Sequence, residues 1–333
     1  MRIRRWVLAL VSVVAVLVIA VLWLFLQAEP IFSSEGRAVL ITVHPGESLS
    51  QIGDELAAHH VISSSFAFHL DDIVQGSYVV RPGAYEVPQG SSFSHVRSIL
   101  TGPGVPEVTA SPGLTLHEVA VAVANQKGNA YGDAFVKDAV ADITKSPFAQ
   151  GSSLEGLIGD TTYLILSTTT PEKLASEMVA SFNKEAAVAG LTPATTLNGL
   201  DAYQLITAAS IVEKEGYYPR YMPQVARVIY NRLARGGPLQ MDSTVLYYLG
   251  QDGGTVTPAM LQINTPYNTY KHTGLTPTPI CTVSSYALNA VLHAPAGSWL
   301  YFEVVNKDGK TVFSDTFAEQ LHQEQVAAKN GLG

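Results

Sequence analysis

Glu213 and Glu215 are two carboxyl groups placed where a proton could be given and taken back. Both lie in DAYQLITAASIVEKEG, residues 201–216, which reads as a single helix. Asp201 can cap its start and Gly216 can end it. At 100° per residue Leu205, Ile206, Ala208, Ala209 and Val212 form one apolar stripe, with Ser210 and Lys214 on the far side. Glu213 and Glu215 fall on opposite flanks of the stripe, each roughly 80° from Leu205. A carboxyl on such a flank is partly desolvated and meets the negative end of the helix dipole. Both effects favour its protonated form. Cleaving a glycosidic bond needs such a donor, because a sugar alkoxide is a poor leaving group. The bland alternative is two solvated glutamates around a lysine. Periodicity does not choose between the two acids.

Downstream, Gly236, Gly237 and Pro238 break a second helix and present Leu239-Gln240-Met241-Asp242-Ser243-Thr244. Read as an extended segment, it puts Gln240, Asp242 and Thr244 on one face, an amide, a carboxylate and a hydroxyl suited to sugar hydroxyls. Tyr267-Asn268-Thr269-Tyr270 is a second polar-tipped loop, before a turn at Gly274.

These segments together, ASIVEKE, then NRL, PLQ-x-D-x-T and YNTY-x-x-x-GL in that order, resemble the endolytic murein transglycosylases of the YceG-like family. The resemblance runs from the N-terminal apolar segment to the C-terminus. It implies that Glu215 is the catalytic acid, that Asp242 supports it, and that Gln240, Thr244, Asn268, Tyr270 and Asn231 shape the substrate cleft. LEGLIGDTTYLI (Leu154–Ile165) resembles another family segment and adds Glu155 and Tyr163 to the expected substrate contacts. The implied substrate is peptidoglycan glycan strands, cut between N-acetylmuramic acid and N-acetylglucosamine to leave 1,6-anhydro ends. Peptidoglycan synthases are the implied partners.

The chain departs from the family pattern at Asp160 and Thr161, at Thr276 and Thr278, at Cys281, and at Thr311 and Gln320 where histidines are common. These departures keep a rival reading open, a non-catalytic peptidoglycan-binding scaffold with a degenerate cleft. A hydrolase using Glu215 with Asp242 is a third reading, since an inverting glycosidase needs two carboxylates.

Several elements must position these groups. Met222–Ala234 reads as a helix carrying Asn231 and Arg232 near its end, and Pro171–Ala189 as an amphipathic helix. Tyr131–Thr144 and Ser284–Leu292 have helical patterns. A hairpin is expected from Trp299–Val305 and Thr311–Phe317 through Asp308-Gly309. Nearer the N-terminus a plan recurs: ITVHPGESLSQIGDEL (Ile41–Leu56) and VTASPGLTLHEVAVAV (Val108–Val123) are each a β-rich stretch, Pro-Gly, then a capped amphipathic helix. Ser48 with Gln51, and Thr115 with Glu118, make capping-box pairs. YEVPQGSSFSHVRSIL (Tyr85–Leu100) is a weaker third copy. Such units resemble LysM-like modules, which bind N-acetylglucosamine chains, although a strand–turn–helix also simply covers a small sheet. Tyr78, Tyr85 and Phe93 are the candidate glycan-facing aromatics, or else core.

Trp6–Leu26 is uncharged and about long enough to cross a hydrocarbon core. Arg2, Arg4 and Arg5 precede it, which places residues 1–5 in the cytoplasm and the rest outside a bacterial cell membrane. A cleaved signal peptide is the rival, but Leu26-Gln27-Ala28 is a poor cleavage site. No cysteine follows the apolar run to anchor a lipid. The single cysteine permits no internal disulfide. The formal charge of −8 argues against nucleic acid. No histidine spacing suggests a metal, and no cofactor is expected. The expected architecture is α+β: a transmembrane helix at 6–26, a tether at 27–38, a small LysM-like β/α subdomain at 39–104 and a mixed catalytic domain at 105–333.

Overall fold

The computed structural model describes residues 2–28, 36–76, 78–141, 146–150, 153–216 and 218–332. Most of the expected tether (29–35), the end of the helix expected at 131–144, and Tyr217 in the turn after Gly216 lie outside the described residues. The fold is mixed α+β, as the sequence implies, and divides into two compact units. The first comprises Met1–Pro106 with Leu164–Thr168, and the second Glu107–Tyr163 with Thr169–Gly333.

In the first unit, helix α1 (Arg2–Ala28) contains the apolar run Trp6–Ala28, long and apolar enough to cross a membrane. Strand β1 (Ala38–Val43), helices α2 (Leu49–Ala58) and α3 (Ser65–Gln75), strand β2 (Gly83–Pro88) and helix α4 (Phe93–Thr101) follow. β1 and β2 pair antiparallel, Ala38 opposite Pro88 and Val43 opposite Gly83. Ile41, Val43, Tyr85 and Val87 point from this ribbon into a core with Ile52, Leu56, Phe68, Phe93 and Val96. Phe68 and Phe93 meet edge to face at 5.3 Å, a geometry favoured by the ring quadrupoles. Tyr85 and Phe93, offered above as glycan-facing or core, are each only 2% exposed and belong to the core. Tyr78 is half-buried under the Arg97 guanidinium, 5.0 Å from its ring centroid.

The second unit holds β3 (Glu107–Thr109), α5 (Leu116–Lys127), α6 (Asn129–Ala141), β4 (Thr162–Leu164), α7 (Pro171–Val188), α8 (Ala202–Glu215), α9 (Met222–Ala234), α10 (Asp242–Tyr248), α11 (Ser285–Leu292), β5 (Tyr301–Val304), β6 (Thr311–Ser314) and α12 (Phe317–Lys329). β3 pairs with β4 and β5 with β6. The recurrent plan seen in sequence is a recurrent conformation. Gly46, Gly90 and Gly113 all turn the chain with positive φ after a strand, and a Ser or Thr then caps the next helix.

α8 is the axis of the second unit. Asp201 and Gln204 form a capping box at its start. Leu205, Ile206, Ala208, Ala209, Ile211 and Val212 are fully buried, packed against α9 and α11. Ser210, placed on the far side by periodicity, is fully buried too. The segment around Ile280 covers that side: Ser210 Oγ donates to Thr207 O and accepts from Ile280 N at 2.9 Å.

Candidate active site

The two glutamates of α8 have different surroundings. Glu213 accepts from Ser284 at both N (2.9 Å) and Oγ (2.6 Å), so its carboxylate is spent on the N-cap of α11. Glu215, the last residue of α8, turns instead to a cleft of about 470 Å³. Its carboxyl sits among protein atoms with one side open to the cleft. Ser243 Oγ donates to Glu215 Oε1 at 2.6 Å, and Ser243 N points at the same oxygen from 3.4 Å. Desolvation pushes the Glu215 pKa above the usual carboxylate value; the Ser243 bonds pull it partly back, nearby Asp242 adds to the rise, and Arg232 opposes it.

Close packing brings the chain into this position. A Cβ on Gly216 would lie 2.6 Å from Met222 Cγ and 2.8 Å from Val212 O, so only glycine lets α8 end against the start of α9. Arg232 is anchored by Nε to Leu300 O at 2.7 Å and by its terminal nitrogen to Leu239 O. Burial lowers its pKa, yet a guanidinium remains charged and supplies a fixed positive group.

Glu155 is a second buried carboxyl on the cleft wall. It accepts from Leu116 N at 2.9 Å, at the start of α5, and from Tyr247 Oη at 3.1 Å. Desolvation pushes its pKa up to about 7, against those two hydrogen bonds. Ser243 and Tyr247 are four residues apart on α10 and so share a face. One short helix therefore holds both acids.

Of the residues expected at the site, Glu155, Glu215 and Asp242 line this cleft. Tyr270 reaches it by donating its hydroxyl to Asp242 at 2.5 Å. The others sit elsewhere. The extended reading of 239–244 is corrected: α10 begins at Asp242, so residues two apart no longer share a face. Thr244 is fully buried, bonded to Met241 O and Thr269. Gln240 is exposed in the left-handed region, with φ 51°. Asn268 is buried and donates to Leu261 O and Ile263 O. Asn231 donates to Gly297 O and Trp299 O, and Tyr163 to Gly159 O. Apart from Gln240, these side chains brace the chain through bonds to backbone carbonyls. Neither Thr311 nor Gln320 lines it; Gln320 donates to Glu303 and Glu324.

Sequence reasoning passed over Ser243, Tyr247 and Lys214. Lys214 pairs with Asp252 at 2.7 Å, on a loop where Gly250, Gly253 and Gly254 all take positive φ and line the cleft. The signal for the first two was their i, i+4 spacing, visible only once 242–248 is taken as a helix. Among the described residues no cluster of His, Cys, Asp and Glu could hold a metal ion.

Comparison with known proteins adds to this geometry. The model of the YceG-like family matches residues 41–327. An endolytic murein transglycosylase of Bacillus subtilis is 28% identical over 328 residues, covering 91% of this chain and 89% of that protein. A protein of the same name from Streptococcus pneumoniae is 26% identical, covering 90% of this chain, which spans 59% of the streptococcal protein's length. The crystal structure of a putative yceG-like protein from Listeria monocytogenes superposes with a TM-score of 0.60 at 26% identity, covering 87% of this chain and 99% of that one.

Proposed function

This chain belongs to the YceG-like family, and on that premise we propose that it is a membrane-anchored lytic transglycosylase acting on peptidoglycan. The reaction is cleavage within a glycan strand of the β-1,4 bond from N-acetylmuramic acid to N-acetylglucosamine. The observation that carries this reading is Glu215, a desolvated carboxyl open to the cleft and oriented by Ser243. Raised in pKa, it is held neutral toward the pH at which it must donate.

In the first step Glu215 protonates the glycosidic oxygen as the C1–O bond breaks. The glucosamine side leaves as an alcohol, and positive charge develops at C1 of the muramoyl sugar. Glu215, now a carboxylate, takes the proton from the muramoyl 6-hydroxyl while that oxygen bonds to C1. A 1,6-anhydro end forms, no water is consumed, and Glu215 returns to its neutral form. One carboxyl therefore serves both halves. Ser243 contributes most in the interval when Glu215 is charged, because its hydrogen bonds favour the ionised form. The Asp242–Tyr270 pair lines the site as a polar contact for sugar hydroxyls.

The apolar helix supports a single-pass anchor with the N-terminus in the cytoplasm and the remaining chain outside. That placement suits action on nascent strands and contact with peptidoglycan synthases. The LysM-like reading of residues 39–104 is retained as a glycan-binding proposal; the strand–helix–helix–strand order of β1, α2, α3 and β2 supports it. The test is the chemistry of the new chain ends made by the full-length protein on isolated peptidoglycan. Anhydro ends fit the reading. Reducing ends would replace it with a hydrolase in which Asp242 assists, and glycan bound but left whole would replace it with a scaffold.

A further inference from the structure

Helix α3 is apolar on two sides. Ala67 and Phe68 are fully buried in the first unit's core. Phe66, Leu70, Ile73 and Val74 follow i, i+4, i+7, i+8 spacing and make a second stripe facing away from it. Phe66 is 63%, Ile73 64% and Val74 82% exposed, and Val79 just beyond the helix is 86% exposed. A contiguous exposed apolar patch of this kind marks a surface that meets a partner or a membrane.

The neighbouring element identifies the occupant. α1 packs against α3, and its Leu24 and Ala28 rest on the first unit's core. Val21, Leu24 and Phe25 face Leu70 and Val74 across a cavity of about 710 Å³. These α1 residues belong to the apolar run that is long enough to cross a membrane and is read above as the anchor. Side chains of α3 that meet them therefore lie at the level where the anchor leaves the hydrocarbon. The acids beside the stripe are compensated: Arg97 pairs with Asp71 at 3.0 Å and Asp72 at 3.1 Å. No unpaired carboxylate of α3 has to be carried toward lipid.

We propose that α3 is a bilayer contact, lying in the outer interface beside the anchor with Phe66, Leu70, Ile73 and Val74 in the upper acyl region. This rests on the reading of α1 as a membrane span. It gives the first unit a fixed height on the membrane in place of free swing on a tether.

The test places an environment-sensitive fluorophore on the full-length chain in phosphatidylcholine–phosphatidylglycerol nanodiscs, with and without nitroxide-bearing lipid. Labels go in turn on Leu22→Cys in the anchor, Ile73→Cys and Val74→Cys on the stripe, and Asp54→Cys on the exposed side of α2. Cys281 is buried and stays in place. The expected result is blue-shifted emission and lipid quenching at 22, 73 and 74, and neither at 54. Quenching at 22 with 73 and 74 behaving like 54 overturns the proposal and leaves the anchor intact. Absence of quenching at 22 refutes the anchor, and the proposal with it. A blue shift at 73 and 74 that lipid does not quench, and that grows with chains per disc, assigns the stripe to a second copy and also overturns it.

Discussion

Ser243 holds Glu215: its hydroxyl lies 2.6 Å from Glu215 Oε1, and it reaches there from the first turn of α10. One turn later on the same face, Tyr247 donates to Glu155. A seven-residue helix thus orients two acids that come from separate parts of the second unit. Each acid has its pKa raised by burial and partly restored by the bond from α10.

Replacing Ser243 by alanine removes a donor that favours the charged form of Glu215. A hydrogen bond to a charged group contributes about 1.5–3 kcal/mol, so the rate should fall roughly 10- to 100-fold. In the proposed mechanism Glu215 acts in its neutral form, so activity should decline as pH rises through its pKa. Loss of the donor raises that pKa further, and the alkaline limb of the pH–rate profile should move to higher pH. A limb that stays put would show that Ser243 does not act through Glu215.

Glu155 makes a prediction about stability. Its pKa is raised on folding to about 7, so the folded state holds a proton that the unfolded chain, with an ordinary carboxyl near 4.3, gives up earlier. Folding is therefore penalised as pH rises from about 4 through 7, and the full penalty, about 4 kcal/mol, applies above 7. Glu155→Gln is neutral throughout. Its amide can still accept from Leu116 N and can donate to Tyr247 Oη. Denaturant midpoints measured at pH 5 and pH 8 should fall for the parent more than for the variant. Parallel losses would contradict the burial argument.

Gly216→Ala should harm both fold and chemistry. Its methyl would meet Met222 Cγ and the backbone oxygen of Val212, and overpacking of this kind costs about 1–3 kcal/mol. Shortening Met222 relieves one contact and leaves the backbone clash, so Gly216→Ala with Met222→Ala should not recover the rate. Thermal midpoints and turnover on the same preparations test this. Full recovery in the double variant would place the constraint in Met222 alone.

Much of the frame was legible because it is local. Ser48 with Gln51 and Thr115 with Glu118 announce two helix starts as capping boxes, and both boxes form as spaced. Asp201 announces a third as a cap, and the structure adds Gln204 to complete a box there. Met222–Ala234 and the Asp308-Gly309 hairpin also follow from near neighbours. What was not legible depends on residues far away in sequence. Ser210 is buried by a segment about seventy residues downstream, and what distinguishes the surroundings of Glu213 from those of Glu215 is Ser284 on the one and Ser243 on the other. The start of α10 was hidden by polar alternation and by the Gly-Gly-Pro break before it, which favour an extended reading. Asn231 and Thr244 carry the group types of a sugar site, but distant partners claim them, the backbone at Gly297 and Trp299 for Asn231 and the Thr269 hydroxyl for Thr244. Asn268 is claimed nearer by, by Leu261 O and Ile263 O.

The most direct measurement compares Glu215→Gln with Glu213→Gln on isolated peptidoglycan, reading released glycans by mass spectrometry for 1,6-anhydro ends. Glutamine keeps the size of each side chain and removes the transferable proton. The Glu213 variant should still produce anhydro ends, with lowered stability from a weakened cap on α11. The Glu215 variant should produce none while remaining folded and binding glycan. Anhydro ends from the Glu215 variant at the parent's rate would contradict the account.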